Sequence, residues 1–457
     1  MIYLDPALTP ASLRPDLDRL WEVSAQKIRA LDARYDPADG APVFTVDGRY
    51  TARGWTEWTQ GFQFGAALLQ FDATDDRAML ELGRARTVER MHPHVTHFGV
   101  HDHGFNNVST YGALRRLALE GRFDASEWER RFYDMALIAS GSVQARRWTA
   151  LPDDADGRKA GYVYSFNGPQ SLFVDTIRSM RSLAVAHQLG GVLGGEHDEP
   201  VSLLDRLAMH ARATARYSVY YGEGRDGYDV RGRTVHEAIF NLNDGFFRCP
   251  STQQGYSPFS TWTRGLAWAL LGSVEELEWL ATRPEAERAA AGDLDAVLLR
   301  AATATADFYL DQTPTCGVPY WDTGAPELHR LGDYLSRPAD PYNDYEPVDS
   351  SAAAIAAQGL LRLGRLTGEA RYTQAGLAVT KTLLSEPYLS TDPSHEGLLL
   401  HAVYHWPNRW DHVPEGRKVA CGESCMWGDY HLRELALTVQ RMADASAPVY
   451  TFFGPIS

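Results

Sequence analysis

Helical periodicity recurs along the whole chain, and the helices it marks alternate in character. That alternation limits the fold more than any other feature. Apolar residues return on one helical face from Pro15 onward, through Leu17, Leu20, Trp21, Ser24, Ile28 and Leu31. Further helices are predicted near 58–71, 75–91, 104–121, 126–147, 171–190, 200–221, 258–281, 294–312, 350–366, 369–385 and 428–443, which makes twelve. Those in odd places, such as "LRPDLDRLWEVSAQKIRALDARY" and "ASEWERRFYDMALIASGSVQARR", are amphipathic and charged. Those in even places, such as "GFQFGAALLQF", "TWTRGLAWALLGSV" and "SSAAAIAAQGLLRL", are small and apolar on most sides. A helix with one apolar stripe sits outside, and a helix apolar nearly all round is enclosed. Gly265, Ala267, Ala352, Ala353 and Ala354 permit close approach between enclosed helices. Six outer helices around six inner ones make an (α/α)6 barrel. Short β excursions are predicted near Tyr228–Phe240 and Gly397–Trp406, where β-branched and aromatic residues alternate between turn signals. No Pro/Ser-rich or charge-run linker divides the chain, so residues 1–457 are expected to form a single domain.

Composition narrows the partners. A formal net charge of −15 without a basic run argues against nucleic acid. No stretch of ~18 apolar residues marks a membrane span. "MIYLDPALTP" has neither a basic n-region nor an apolar h-region, so no signal peptide is read there. Cys421 and Cys425 in "CGESC" have three residues between them, and Cys249 and Cys316 supply no matching pair, so no zinc site is expected. Free thiols suit a cytoplasmic location. The 12 Trp and 22 Tyr offer faces on which sugar rings stack, as well as core bulk. The sequence does not specify an oligomeric state.

Unusual residues cluster at the starts of the even helices. "WTEWTQGFQFG", "HDHGF", "SLFVDT", "QQGYSPFSTWTRG", "EPVDSS" and "CMWGDY" open the six in turn. Inner helices of an alternating barrel run the same way, so their N-termini meet at one mouth. This gathers Asp102, Asp175, Asp349 and Asp429 with Trp58, Trp262, Trp268 and Trp427. Helix N-termini carry unpaired N–H groups and partial positive charge, which suits an anion. Asp is also a common N-cap, and Asp349 in "VDSSA" fits that role. Asp175 follows apolar "SLFV" and is expected to be buried, where a carboxylate is costly. "HPHVTHFGVHDHGF" holds five histidines and at first suggests a metal. However, His92, His94 and His97 fall in a loop, and only His101, Asp102 and His103 reach the mouth, so no metal is expected.

In this order, "HDHGF", "FVDTIRSM", "VHEAIFNLNDGFF", "QQGYSPFSTWTRGLAW", "YWD", "DSSAAAIAAQGLL", "HAVYHWP" and "WGDY" resemble the unsaturated glucuronyl hydrolases, glycoside hydrolase family 88. The resemblance runs from about Trp55 to about Leu437. It implies the same barrel and a reaction with neither metal nor cofactor. The implied substrate is an oligosaccharide left by a polysaccharide lyase, carrying an anionic 4,5-unsaturated uronic acid at its non-reducing end. Such enzymes hydrate the C4=C5 bond, and the glycosidic bond breaks as a consequence. By match to the family, Asp175 is the general acid/base and Asp102 the second carboxylate. His236 and Gln254 match polar groups of the site. Trp58, His101, Trp262, Arg264 and Trp268 match residues that line the sugar and its carboxylate.

The chain departs from the family's pattern at five positions: Gln60 for Asp, His103 for an aliphatic residue, Phe166 for Trp, Ser179 for Asn and Gln253 for His. These departures bear on the sugar in the next subsite and on its sulfation. The segment from Ala325 to Pro347 is long enough to cover the mouth. Three other readings fit the sequence: a sugar epimerase or isomerase, which uses the same barrel with histidines as acid and base, a family variant acting on a different modified glycoside, and a non-catalytic sugar-binding barrel.

Overall fold

The computed structural model describes residues 2–54 and 57–456. Trp55 and Thr56, where the resemblance and the "WTEWTQGFQFG" segment begin, lie outside them. The chain is mostly helical, with a few short strands. Each of the twelve predicted positions holds helix, and the alternation holds too. The even helices Gln60–Thr74, Thr263–Ala281, Ser350–Thr367 and Met426–Met442 are buried along most of their length, whereas Arg77–Arg90 and Glu127–Arg146 each bury one stripe.

The two remaining even positions are broken, and these carry Asp102 and Asp175. The fourth is divided into His103–Asn106, a π-helical turn Val108–Gly112, and Ala113–Leu119. Thr110 Oγ1 donates to the Asn106 carbonyl at 2.8 Å, and Gly112 N–H reaches back five residues to Asn107 at 3.0 Å. A side chain inserted into the helical ladder is a recognised cause of such a turn. The sixth does not begin as helix. Ser171–Phe173 is a strand, antiparallel to Glu237–Phe240, which in turn pairs with Phe247–Ser251. All three residues of Ser171–Phe173 are buried, and periodicity cannot separate a short buried strand from helix. Helix follows only from Thr176.

The β excursion predicted near Tyr228–Phe240 is realised as Glu237–Phe240 alone. The one predicted near Gly397–Trp406 forms no strand. Asp429 accepts the N–H groups of Leu398 and Leu399 at 2.8–2.9 Å, and His401 takes a positive φ of 64°. The 325–347 segment forms two short 3-10 turns, and Leu328 and Leu331 anchor it in the core.

Each even helix packs on the next, from Gln60–Thr74 round to Met426–Met442, and the last returns to the first. Two glycines let neighbours touch near the site. A Cβ on Gly61 would lie 2.4 Å from the Asn106 backbone, and one on Gly104 would lie 2.4 Å from the Ser179 carbonyl. Farther along, arginines tie the same helices together. Arg178 pairs with Glu275 at 2.6 Å and with Glu434 at 3.0 Å, and Arg362 pairs with Glu278. Asp72 takes Arg116 at 2.7 Å and Arg441 at 2.8 Å. Arg181 donates to the Gly104 carbonyl at 2.8 Å. These groups are almost wholly buried, so removing one partner strands the other. Arg178→Met is expected to cost about 3–5 kcal/mol, because it takes the nearest cation from two buried carboxylates. Urea unfolding measures it, and a loss below about 1 kcal/mol would count against the network as a structural tie.

Candidate active site

The N-terminal ends of the even helices surround a cavity of about 770 Å³. Eight of the nine predicted site residues line it: Asp102, Asp175, Gln254, Trp58, His101, Trp262, Arg264 and Trp268. His236 is not part of that lining. It sits behind the wall, its ring 4.4 Å from that of Phe173 and 4.7 Å from that of Trp262. No residue of the 325–347 segment lines the cavity, so the expectation of a cover there is not met.

Asp175 occupies the junction between strand and helix, at the N-cap position of Thr176–Ser179, yet its side chain caps nothing. One of its carboxylate oxygens is buried without a hydrogen-bond partner. Asp102 likewise precedes a helix without capping it, and His101 Nε2 stands 3.8 Å away. Burial dominates both carboxyls. It raises Asp102 to about 8, with repulsion from Asp175 adding to the shift, and raises Asp175 to about 7 against attraction from Arg264. Interacting carboxyls titrate as a pair, and this pair holds a proton at neutral pH. Arg147, the nearby cation acting on Asp102, is committed to backbone: it donates to the carbonyls of Phe98, Tyr164 and Ser165. The histidines are held neutral by burial, His101 well below its usual value, His103 at about 4 and His236 at about 3.

Arg264 lines the cavity, but its terminal N–H groups are spent on the protein. They reach Asp349 at 2.7 Å, Gln254 at 2.8 Å, and the Val403 and Tyr404 carbonyls. The guanidinium thus braces the wall of the cavity that it lines. Asp349 caps Ser350–Thr367, as expected, and also takes this arginine. Asp429 belongs to structure: it accepts from Tyr50 Oη at 2.9 Å as well as from the 398–399 backbone, and it does not line the cavity.

Of the five departures, only Phe166 and Gln253 line the cavity. Gln60, His103 and Ser179 lie beneath it, in one hydrogen-bonded network. Gln60 meets His94 at 2.9 Å, and Asn106 donates to the other His94 nitrogen at 3.0 Å. His103 donates to the His97 carbonyl at 3.1 Å and accepts from Ser140, which itself accepts from Asn107. Ser179 accepts from Gly104 N–H at 2.9 Å and from Gln144, which also holds the His101 carbonyl at 2.7 Å. The histidine strip is therefore largely a support for the loop that carries Asp102.

One wall was not anticipated by residue. Tyr404, His405, Asn408 and Trp410 line the cavity, and the buried carboxyl of Asp411 accepts the N–H groups of Tyr404 and His405. The density of aromatic and histidine residues in "HAVYHWPNRWDH" was the available signal. Trp58 stacks on Trp427 at 5.0 Å and faces Tyr404, which closes the aromatic rim.

No protein-family model matches the chain. Over 381 residues it is 25% identical to the unsaturated glucuronyl hydrolase of Formosa agariphila, a match spanning 83% of this chain and 78% of that one. Over 407 residues it is 26% identical to the unsaturated glucuronyl hydrolase of a Bacillus sp., spanning 86% and 89%. The crystal structure of unsaturated glucuronyl hydrolase from Bacillus sp. GL1 shares the fold, with a TM-score of 0.67 at 22% identity over 92% of this chain and 97% of that one. A glycoside hydrolase is the class that these relatives and the cavity define. Within that class the relatives to which the chain is similar are unsaturated glucuronyl hydrolases, glycoside hydrolase family 88.

The two raised carboxyls carry a testable cost. A carboxyl whose folded pKa lies above its unfolded one destabilises the fold as pH rises through that interval. Asp102→Asn and Asp175→Asn are each expected to melt several degrees higher than the parent at about pH 8, and the gain is expected to shrink as pH falls toward about 4. Differential scanning calorimetry across that range reads it, and variants that melt lower than the parent at about pH 8 would contradict the desolvated-pair description.

Proposed function

We propose that this enzyme removes a 4,5-unsaturated uronic acid from the non-reducing end of lyase-generated oligosaccharides by hydrating its C4=C5 enol ether. The observation that carries this reading is the desolvated pair Asp102 and Asp175, holding a proton in an aromatic-walled cavity. Hydrating an enol ether requires one proton delivered to carbon and one taken from water, and a single positioned carboxyl serves both steps in turn. In this reading Asp175, as the acid, protonates C4. Water then adds to C5 and returns its proton to Asp175. The hemiketal so formed opens by breaking the ring C5–O bond, leaving a ketone at C5 and a hemiacetal at C1. Collapse of that hemiacetal expels the remaining saccharide and leaves a 4-deoxy-5-keto-uronic acid. Burial of Asp102 beside Asp175 keeps a proton on the pair near neutrality. Trp58, Trp262 and Trp268 offer faces for the sugar. Gln254 supplies a hydrogen bond, His236 holds the Gln253–Gln254 backbone from behind the wall, and His101 shapes the wall beside Asp102.

The closed succession of even helices supports an (α/α)6 barrel formed by residues 1–457 as one domain. The relatives' names speak of unsaturated glucuronyl and chondroitin disaccharide substrates, which supports a small oligosaccharide partner here. Four free cysteines support a cytoplasmic setting, and among the described residues no helix is long and apolar enough to cross a membrane.

Incubation with unsaturated disaccharides from chondroitin, heparin, hyaluronan, gellan, xanthan and ulvan is expected to bleach the enol-ether absorbance for at least one of them. Asp175→Asn is expected to abolish that loss while leaving binding intact; turnover at the parent rate would remove Asp175 from the mechanism. Since the acid form of Asp175 is needed, kcat/KM is expected to begin to fall above about pH 7 and to approach a tenfold loss per pH unit by about pH 8. A rate still rising there would oppose a carboxylic acid as proton donor.

A further inference from the structure

We propose that Asp349 is a positioning residue: through Arg264 it fixes which face of the Gln254 amide the cavity sees. This inference rests on the hydration reading for its meaning, but its geometry stands apart from it. Arg264 is buried, and the four N–H bonds of its two terminal nitrogens are all used. Nη1 donates to Asp349 Oδ2 and to the Val403 carbonyl, while Nη2 donates to Gln254 Oε1 and to the Tyr404 carbonyl. A guanidinium can only donate, so the Gln254 atom that meets it must be the carbonyl oxygen. The amide NH2 is then turned away from Arg264, on the side chain of a residue that lines the cavity.

The orientation is only as fixed as Arg264, and Asp349 is what holds it. Asp349 is fully buried, and its two oxygens have separate duties. Oδ2 takes Arg264, while Oδ1 accepts from Ser351 N–H at 3.0 Å, from Ser351 Oγ and from Ala352 N–H at 3.4 Å. The carboxylate cannot swing toward or away from the arginine without uncapping an inner helix. A second hold acts on the same stretch of chain. His236 Nδ1 accepts the N–H groups of Gln253 at 3.0 Å and Gln254 at 3.3 Å, which leaves the ring proton on Nε2. The Gln254 backbone is thus pinned by His236 and its side chain by Arg264. The result is an uncharged donor presented to an acceptor-only oxygen, such as one of a uronate carboxylate.

A double-mutant cycle tests it. Asp349→Ser retains a capping oxygen but cannot reach Arg264, so a residue that only caps the helix would tolerate it. The proposal expects kcat/KM to fall on the order of 10²-fold in Asp349→Ser, because a displaced contact group costs about that much. Gln254→Ala is expected to lose a similar factor, and the double variant no more than Gln254→Ala alone. Multiplicative losses, or near-parental kcat/KM in Asp349→Ser, would overturn the proposal. General loss of folded protein cannot imitate the expected result, since it multiplies. Arg264→Lys, which keeps the charge but cannot hold both partners, gives the same cycle should Asp349→Ser fail to fold. Read in melting temperatures, the cycle needs no substrate: Asp349→Ser is expected to cost less in the Gln254→Ala background, and strict additivity there also overturns the proposal. If the parent bleaches no unsaturated disaccharide, the hydration reading falls and the melting cycle still decides the positioning.

Discussion

Charge buried inside the ring of inner helices is the constraint on which the rest depends. At the far end of those helices several such charges have partners. Arg178 sits between Glu275 and Glu434, and Asp72 collects Arg116 and Arg441. There desolvation is outweighed by Arg178, His431, Arg181 and the Tyr450 hydrogen bond acting together, which holds Glu434 well below the usual carboxylate range. At the mouth the same scaffold buries Asp102 and Asp175 without giving either a direct cation, and both rise by several pH units. One end of the ring spends charge on cohesion, and the other withholds it to keep a proton. The chemistry proposed for the site follows from that asymmetry rather than from any single residue.

The cations near the mouth show how the withholding is done. Arg147 and Arg264 both lie close enough to act on the carboxyls, yet each is occupied by protein oxygens. Their fields lower the two pKa values somewhat without quenching the pair. Had Arg264 turned to Asp175, the carboxyl would be an ordinary buried salt bridge, with no proton to give near neutrality. Asp349 therefore shapes the electrostatics of the site as well as its hydrogen bonding.

Much of the fold was legible because its pattern is repetitive. The alternation of striped and all-apolar helices located twelve helical positions and brought Asp102, Asp175, Trp58, Trp262 and Trp268 to one cavity, while the family resemblance supplied His101, Gln254 and Arg264 of the same lining. What failed was local and has physical causes. Ser171–Phe173 is too short and too apolar for periodicity to tell strand from helix. The π-helical turn depends on a Thr110 hydroxyl reaching a carbonyl, which no spacing rule encodes. The hairpin of Pro42–Val46 and Arg49–Ala52 was signalled by "VDGR" and went unread. The bracing partners of Arg264 were not legible, because a sequence does not reveal how many acceptors will compete for five N–H bonds.

The departures sort by depth, and that sorting bears on specificity. Gln60, His103 and Ser179 sit in the network under the Asp102 loop, hydrogen-bonded to His94, Ser140, Gly104 and Gln144. Altering one alone strands a buried polar group, so such positions change together or not at all. Their common task is to hold Asp102 against the cost of its own burial, and they say little about the sugar. The rim is built otherwise. Phe166 is partly exposed and stacks on His101, Gln253 is anchored by its backbone, and the Tyr404–Trp410 wall hangs on Asp411 and on Arg53 lying over Trp410. Few buried polar groups are stranded when these side chains change. Substrate preference is therefore free to drift at the rim while the floor, committed to a proton, stays as it is.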